Sequence, residues 1–277
     1  MSEAATISVC FWGVRGSIAC PGEDTVRYGG NTACVEVRCG GHLFVFDAGT
    51  GIRRLGRKLA AHAPLDFDLF FTHTHWDHIS GMPFFVPLFD PRNSIRLWAG
   101  HLEPGRTLKS VIQDMMTAPL FPVPMEVFAA DCSYLEFTCG QTLTPRPGVT
   151  LRTGALNHPN GSCGYRIEYG GRSVCYITDT EHEPGKRDSR VVDLVRDADI
   201  MIYDATYTDD EFTRHVGWGH STWEECLRVA DAAGVKQAVL FHHDPGHDDG
   251  FMDMVAEEAD AQRPGTLVAR EGMVIKL

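Results

Sequence analysis

Residues 70–81 read FFTHTHWDHISG, so three histidines and an aspartate (His73, His75, Asp77 and His78) fall within six positions directly after an apolar run. On a helix, His73 and His75 would point roughly 200° apart and could not share a ligand. In an extended segment the period of two brings them to one side. Because they follow DFDLFF, they are expected where a buried strand ends and side chains leave the core, with Asp77 and His78 opening the next segment. Imidazole nitrogens with a carboxylate are donors that Zn²⁺, Mn²⁺ or Fe²⁺ accept. A histidine-rich polar loop without a ligand is the plainer alternative, but unpaired buried imidazoles are costly. A structural metal site is usually rich in sulfur, and none of the nine cysteines neighbours this cluster.

The pattern of apolar residues predicts the elements that must position the cluster. Strand-like runs occupy 6–13 (TISVCFWG), 33–39 (ACVEVRC) and 42–49 (HLFVFDAG), the last two joined by a Gly-Gly turn. A helix is expected over 51–62, where Ile52, Leu55 and Leu59 keep helical spacing. Strands follow at 66–71 and 94–100, then a helix at 105–117 and a proline-rich irregular stretch, APLFPVPMEVF. Further strands are expected at 164–170, 172–179, 198–205 and 236–243. A helix in GHSTWEECLRVADAAG has Ser221 and Glu224 spaced as a capping box, and FMDMVAEEADAQ is a second helix. The closing TLVAREGMVIKL reads as two strands. Two sets of strands with helices between and after them predict a layered α/β or α+β sandwich, and with no evident linker, 1–277 reads as a single domain.

The formal charge of −12 shows none of the basic surplus of a protein that grips many phosphates, so nucleic acid is not expected as a partner. No apolar stretch approaches the length of a membrane span, and the N-terminus lacks the layout of a signal peptide. Nine scattered cysteines without a C-x-x-C pair suit reduced thiols, so a cytoplasmic globule is expected.

His73-x-His75-x-Asp77-His78 resembles the hallmark of the metallo-β-lactamase superfamily, and the likeness extends along nearly the whole chain. The pieces FWGVRGS, GGNTACVEV, FDAGTG, THTHWDHISGMPFF, NHPNG, YITDT, YDATY, GHST and LFHHD resemble the branch that contains ribonuclease Z and related phosphodiesterases. That resemblance implies a four-layer αββα sandwich with two metal ions at one edge of the packed sheets, zinc first, manganese or iron as alternatives. It implies that His73, His75 and His158 hold one ion and that Asp77, His78 and His242 hold the other, with Asp179 bridging. The residues agree: Asp179 and His242 each end an apolar strand, and His158 sits in a Pro/Asn/Gly loop that lets it turn inward. His243 and His247 in HHDPGHDD compete with His242, which is chosen by register after QAVLF. The branch also implies that His220 (GHST) and Asp204 (YDATY) assist phosphodiester cleavage together with Asp77; Asp204 stands where a Glu is usual. A carboxylate orienting an imidazolium near the departing alkoxide would supply a general acid.

Two ions sharing a water can lower its pKa from 15.7 toward about 7, giving a bridging hydroxide without a side-chain base. Arg15 in GVRGS is a candidate contact for substrate phosphate, or else a buried ion pair. Asp47 in FDAGTG is expected to brace the metal loop through hydrogen bonds, and 212–222 to be a connecting loop or a lid. Residues 84–135 match no motif and are expected to shape the pocket. The leading reading is a phosphodiesterase acting on a small-molecule phosphodiester such as a cyclic nucleotide. Transfer-RNA processing is set aside, since no long insertion stands between 180 and 240. The alternatives are a carbonyl-ester hydrolase (lactonase, thioesterase or β-lactamase) and a non-catalytic metal-binding scaffold. A homodimer is compatible with the resemblance.

Overall fold

The computed structural model describes residues 6–277. The first half of the chain lays down β1 (Ile7–Gly13), β2 (Cys34–Cys39), β3 (His42–Phe46), β4 (Asp66–Phe71), β5 (Ser94–Ala99) and β6 (Asp131–Glu136). The second half supplies β7 (Thr142–Arg146), β8 (Val149–Leu156), β9 (Ser162–Tyr169), β10 (Arg172–Ile177), β11 (Ile200–Asp204), β12 (Gln237–Phe241), β13 (Leu267–Val268) and β14 (Val274–Lys276). They form two seven-stranded sheets, ordered β14-β1-β2-β3-β4-β5-β6 and β13-β12-β11-β10-β9-β8-β7. The helices are α1 (Ile52–Ala60), α2 (Trp76–Ile79), α3 (Leu108–Met115), α4 (Ser189–Val195), α5 (Asp209–Phe212), α6 (Trp223–Ala233) and α7 (Asp249–Gln262).

Period-2 alternation sends each strand's side chains to two different cores. In β1, Ile7, Val9 and Phe11 point between the sheets, where they meet Tyr165, Tyr176 and Phe241. In β4, Phe70 points the same way, while Phe67, Leu69 and Phe71 point outward to α1 and α3. The other sheet covers its outer face with α4, α6 and α7. The result is the four-layer αββα sandwich, and strands covered on both faces explain the near-continuous apolar runs.

Residues 84–135 mostly build an outer layer rather than the pocket: Phe85, Leu88, Ile95, Leu97, Ile112, Met115 and Met125 all join the core beneath α1 and α3. Sequence periodicity does not reveal β6 and β7, because these edge strands expose alternate polar residues and bury little. The cap of α6 is Thr222, whose hydroxyl accepts from the Glu225 amide, one residue beyond the expected Ser221/Glu224 box. Ser221 instead is buried, its Oγ 2.8 Å from His182 Nδ1.

β3, β4 and β5 run parallel in one sheet and β10, β11 and β12 run parallel in the other. Their C-terminal ends deliver Asp47, Thr72–His73, Asp179, Asp204 and His242, the edge where ligands bind in parallel sheets. Asp47, Asp179 and His242 have φ of 60°, 58° and 64°, a left-handed conformation that turns the chain sharply as each strand ends.

Phe46 joins the two halves, with its ring 5.6 Å from Phe70, 5.3 Å from Tyr165 and 5.7 Å from Tyr176. Phe46→Ala is expected to cost about 3–5 kcal/mol, measured by denaturant unfolding, whereas Phe46→Leu should cost less than half of that.

Candidate metal centre and acid pair

His73, His75 and His158 present three nitrogens within 4.8 Å of one another, and Asp77, His78, Asp179 and His242 form a second such group. Asp179 lies between them: its carboxylate oxygens are 3.7 Å from His73 Nε2, 3.8 Å from His158 Nε2, 3.2 Å from His78 Nε2 and 3.4 Å from His242 Nε2. The structure therefore brings together all seven ligand residues named from the sequence.

These residues fit cations. His73 Nε2 is buried and has no hydrogen-bond partner among the described residues. His158 Nε2 faces His75 Nδ1 at 3.1 Å, and His78 Nε2 faces His242 Nε2 at 3.3 Å. Apposed imidazole nitrogens in a buried site are unfavourable unless something positive lies between them. Burial, then the neighbouring His78, hold His73 well below the usual histidine range, so it offers a neutral lone pair. Burial alone would raise the Asp77 carboxyl, but His78 and His242 overcome it and keep it ionised.

Each imidazole is aimed by what its other nitrogen holds. His73 Nδ1 donates to Thr72 Oγ1 at 3.1 Å, and that hydroxyl donates in turn to Asp47. His78 Nδ1 donates to Asp47 Oδ2 at 2.9 Å. Asp47 also accepts from the Thr72 amide at 2.8 Å and the Tyr176 hydroxyl at 2.9 Å, so it braces the metal loop, as expected of it. His158 Nδ1 donates to Gly219 O at 2.7 Å, and His242 Nδ1 to Thr206 Oγ1 at 3.1 Å. His75 is turned around: Nε2 donates to Asn160 Oδ1 at 3.2 Å, leaving Nδ1 for the site. The Ser17 amide donates to Asp77 Oδ2 at 2.8 Å. Thr72, Thr206, Asn160, Gly219 and Ser17 had no signal in the sequence beyond lying beside a motif.

His220 and Asp204 stand at the rim of the cluster. His220 Nδ1 donates to Asp204 Oδ2 at 3.0 Å and lies 3.8 Å from Asp179 Oδ1. Burial would lower the His220 pKa, but the Asp204 carboxylate, with Asp179 and Asp77 behind it, raises it to about 9. The shorter Asp reaches because Asp204 ends β11 and is itself oriented by the Thr206 amide and hydroxyl, at 3.1 and 2.8 Å.

Arg15 does not join the site. Its guanidinium is fully buried, donating through Nε to Gly29 O at 2.8 Å and through Nη1 to Asp244 O at 3.0 Å and His247 O at 2.6 Å. It ties the first loop to the segment after β12 and has no exposed face for a substrate phosphate. His243 turns away to Ala269 O at 2.8 Å, and His247 pairs with Glu211 at 2.9 Å. His101, from the 84–135 region, lies beside the metal loop with Nε2 3.1 Å from Thr74 Oγ1. Among the described residues, no helix is long and apolar enough to cross a membrane.

The family model described as "Beta-lactamase superfamily domain" matches residues 42–243. The chain is 25% identical to Ribonuclease Z of Haloarcula marismortui, over 97% of this chain and 96% of that protein. Among solved structures, it resembles Zn²⁺-bound PqqB of Methylobacterium extorquens (TM-score 0.74, 18% identity, 98% of this chain and 100% of that one). It also resembles the short form of human tRNase Z (TM-score 0.66, 21% identity, 97% and 98%). The names of these relatives correct one expectation from composition: nucleic acid is not set aside as a partner, because a protein alike over its whole length is named for cleaving RNA. Net charge is a sum over the whole surface, whereas a phosphate backbone is met locally. With its fold, its ligand geometry and a family match over most of its length, the chain belongs to the beta-lactamase superfamily, as one of its metal-dependent hydrolases.

Proposed function

We propose that the protein is a dinuclear phosphodiesterase acting on nucleotide phosphodiesters. His73, His75 and His158 would hold one divalent ion and Asp77, His78 and His242 the other, with Asp179 shared. Five imidazoles with two carboxylates support zinc, with manganese or iron as alternatives. When bound, the ions supply Lewis acidity toward a phosphoryl oxygen and lower the pKa of water.

The observation that carries the reading is the Asp204–His220 pair set against the donor cluster. Asp204 fixes the Nδ1 proton, so Nε2 is the nitrogen left to protonate a departing alkoxide. Thr206 holds Asp204 through its other oxygen with two hydrogen bonds, so the carboxylate that accepts from the imidazole is itself fixed. An alkoxide leaving phosphorus is a strongly basic group and gains much from such an acid, whereas a thioester, whose thiolate is far less basic, has less use for it. The relatives' name supports RNA as the polymeric form of the substrate, and a cyclic nucleotide is the small form. Nine free cysteines support a reducing cytosol, and a core shared by both sheets supports one domain.

The zinc-loaded protein is expected to turn over bis(p-nitrophenyl) phosphate and a cyclic nucleotide or short RNA, and not a lactone, in a direct contest of initial rates; turnover of the lactone alone overturns the reading. His220→Gln and Asp204→Asn should each lower kcat by about 10²–10⁴ while elemental analysis finds the metal content unchanged. Gly16 packs so closely on His242 that a Cβ there would overlap Nδ1 and Cε1 of its ring. Gly16→Ala should therefore lose about half the bound metal, with the loss confined to the Asp77/His78/His242 group.

A further inference from the structure

Five tryptophans differ sharply in how they are used. Trp12 and Trp98 donate their indole N–H to Glu36 and Asp68, and Trp223 is buried against the outer helices. Trp76 and Trp218 are 59% and 63% exposed, and both flank the metal centre in sequence: Trp76 follows His75, and Trp218 precedes Gly219. An exposed indole leaves a large apolar surface in water, which folding alone does not favour.

Trp218 is exposed yet firmly held. The amides of Gly217 and Gly219, on either side of it, both donate to the Glu181 carboxylate, at 2.8 and 2.7 Å. Both glycines have φ near +90°, so the chain bulges outward at the tryptophan. The indole packs edge-to-face on His215 at 4.9 Å, and His215 stacks flat on Tyr207 at 4.4 Å and donates to Glu211 O at 2.8 Å. The next carbonyl, Gly219 O, is the acceptor that aims His158. A free loop tip would lack this scaffold. Its effect is to keep an apolar ring presented to solvent two residues before His220.

We propose that Trp218 is a specificity residue that stacks on the nucleobase adjoining the scissile phosphodiester, with Glu181 as the residue that positions it. The inference rests on the phosphodiesterase reading for its substrate class. Stacking recognises any base, so it tolerates sequence while rejecting phosphodiesters without an aromatic group.

The test compares thymidine 5′-(p-nitrophenyl phosphate) with methyl p-nitrophenyl phosphate, which share the scissile bond and differ in the nucleoside that replaces the methyl group. In W218A the KM for the thymidine ester should rise at least about fivefold relative to that for the methyl ester, the loss falling on KM rather than kcat, and W218F should recover most of it. A short oligoribonucleotide is the third substrate: a larger W218A penalty on it than on the thymidine ester assigns the platform to an RNA chain, and the reverse to a free nucleotide. Equal penalties on both esters, or none, overturn the assignment. If the wild type hydrolyses neither ester, the phosphodiesterase reading falls and a titration with adenosine 5′-monophosphate decides the platform alone. Quenching of indole emission seen in the wild type and lost in W218F upholds it; quenching unchanged in W218F overturns it.

Discussion

Seven metal-donor-type side chains, five imidazoles and two carboxylates, crowd into one largely buried space. Imidazole nitrogens face one another at 3.1 and 3.3 Å, one buried nitrogen has no partner among the described residues, and two carboxylates are buried among them. In a low-dielectric interior such an arrangement is stable only when positive charge sits within it. The surrounding architecture can be understood as the means of forcing those groups together. Donors come from both sheets, so the interlayer packing of Phe46 against Phe70, Tyr165 and Tyr176 sets the separation of the two halves of the site.

That forcing has a local cost, visible in the backbone. Asp47, Asp179 and His242 are held in the left-handed region although none is glycine, each just after a strand ends. Residues in such conformations cost on the order of 1–3 kcal/mol and persist where neighbours over-determine them. Asp47 is fixed by Thr72, His78 and Tyr176, and His242 by Thr206 and Asp77. The strain is offset by hydrogen bonds that also fix which ring nitrogen faces inward.

The sequence made the first ligand cluster legible because four donors sit within six residues after an apolar run, and position alone marks the end of a strand. Asp179 and His242 were legible for the same reason, but His158 needed the family resemblance, since its loop carries no periodicity. Braces such as Thr206, Asn160 and Glu181 were not legible, because each acts on a residue distant in the chain. Arg15 misled for a related reason: a guanidinium can bind phosphate oxygens or backbone carbonyls, and only the fold supplies the three carbonyls it takes. The α6 cap slipped by one residue because Ser221 and Thr222 are chemically alike, and the fold engages Ser221 elsewhere. Edge strands β6 and β7 were invisible because their apolar faces are short and only half-buried, with Cys132 and Tyr134 on one and Leu143 on the other.

One loop joins the parts of the site that would otherwise be independent. Gly219 donates its amide to Glu181, accepts from His158 through its carbonyl, and is followed at once by His220, the partner of Asp204. No side chain could replace its hydrogen at φ +90° without overlapping the His158 ring. A displacement of this residue would therefore move a nitrogen of the candidate metal centre, the proposed acid and the exposed indole together. The His73/His75/His158 group thus depends on the same backbone that orients the leaving-group side, so a side chain added at Gly219 should be felt in metal binding as well as in the chemistry, whereas truncation of the outward-facing Trp218 ring leaves that backbone in place.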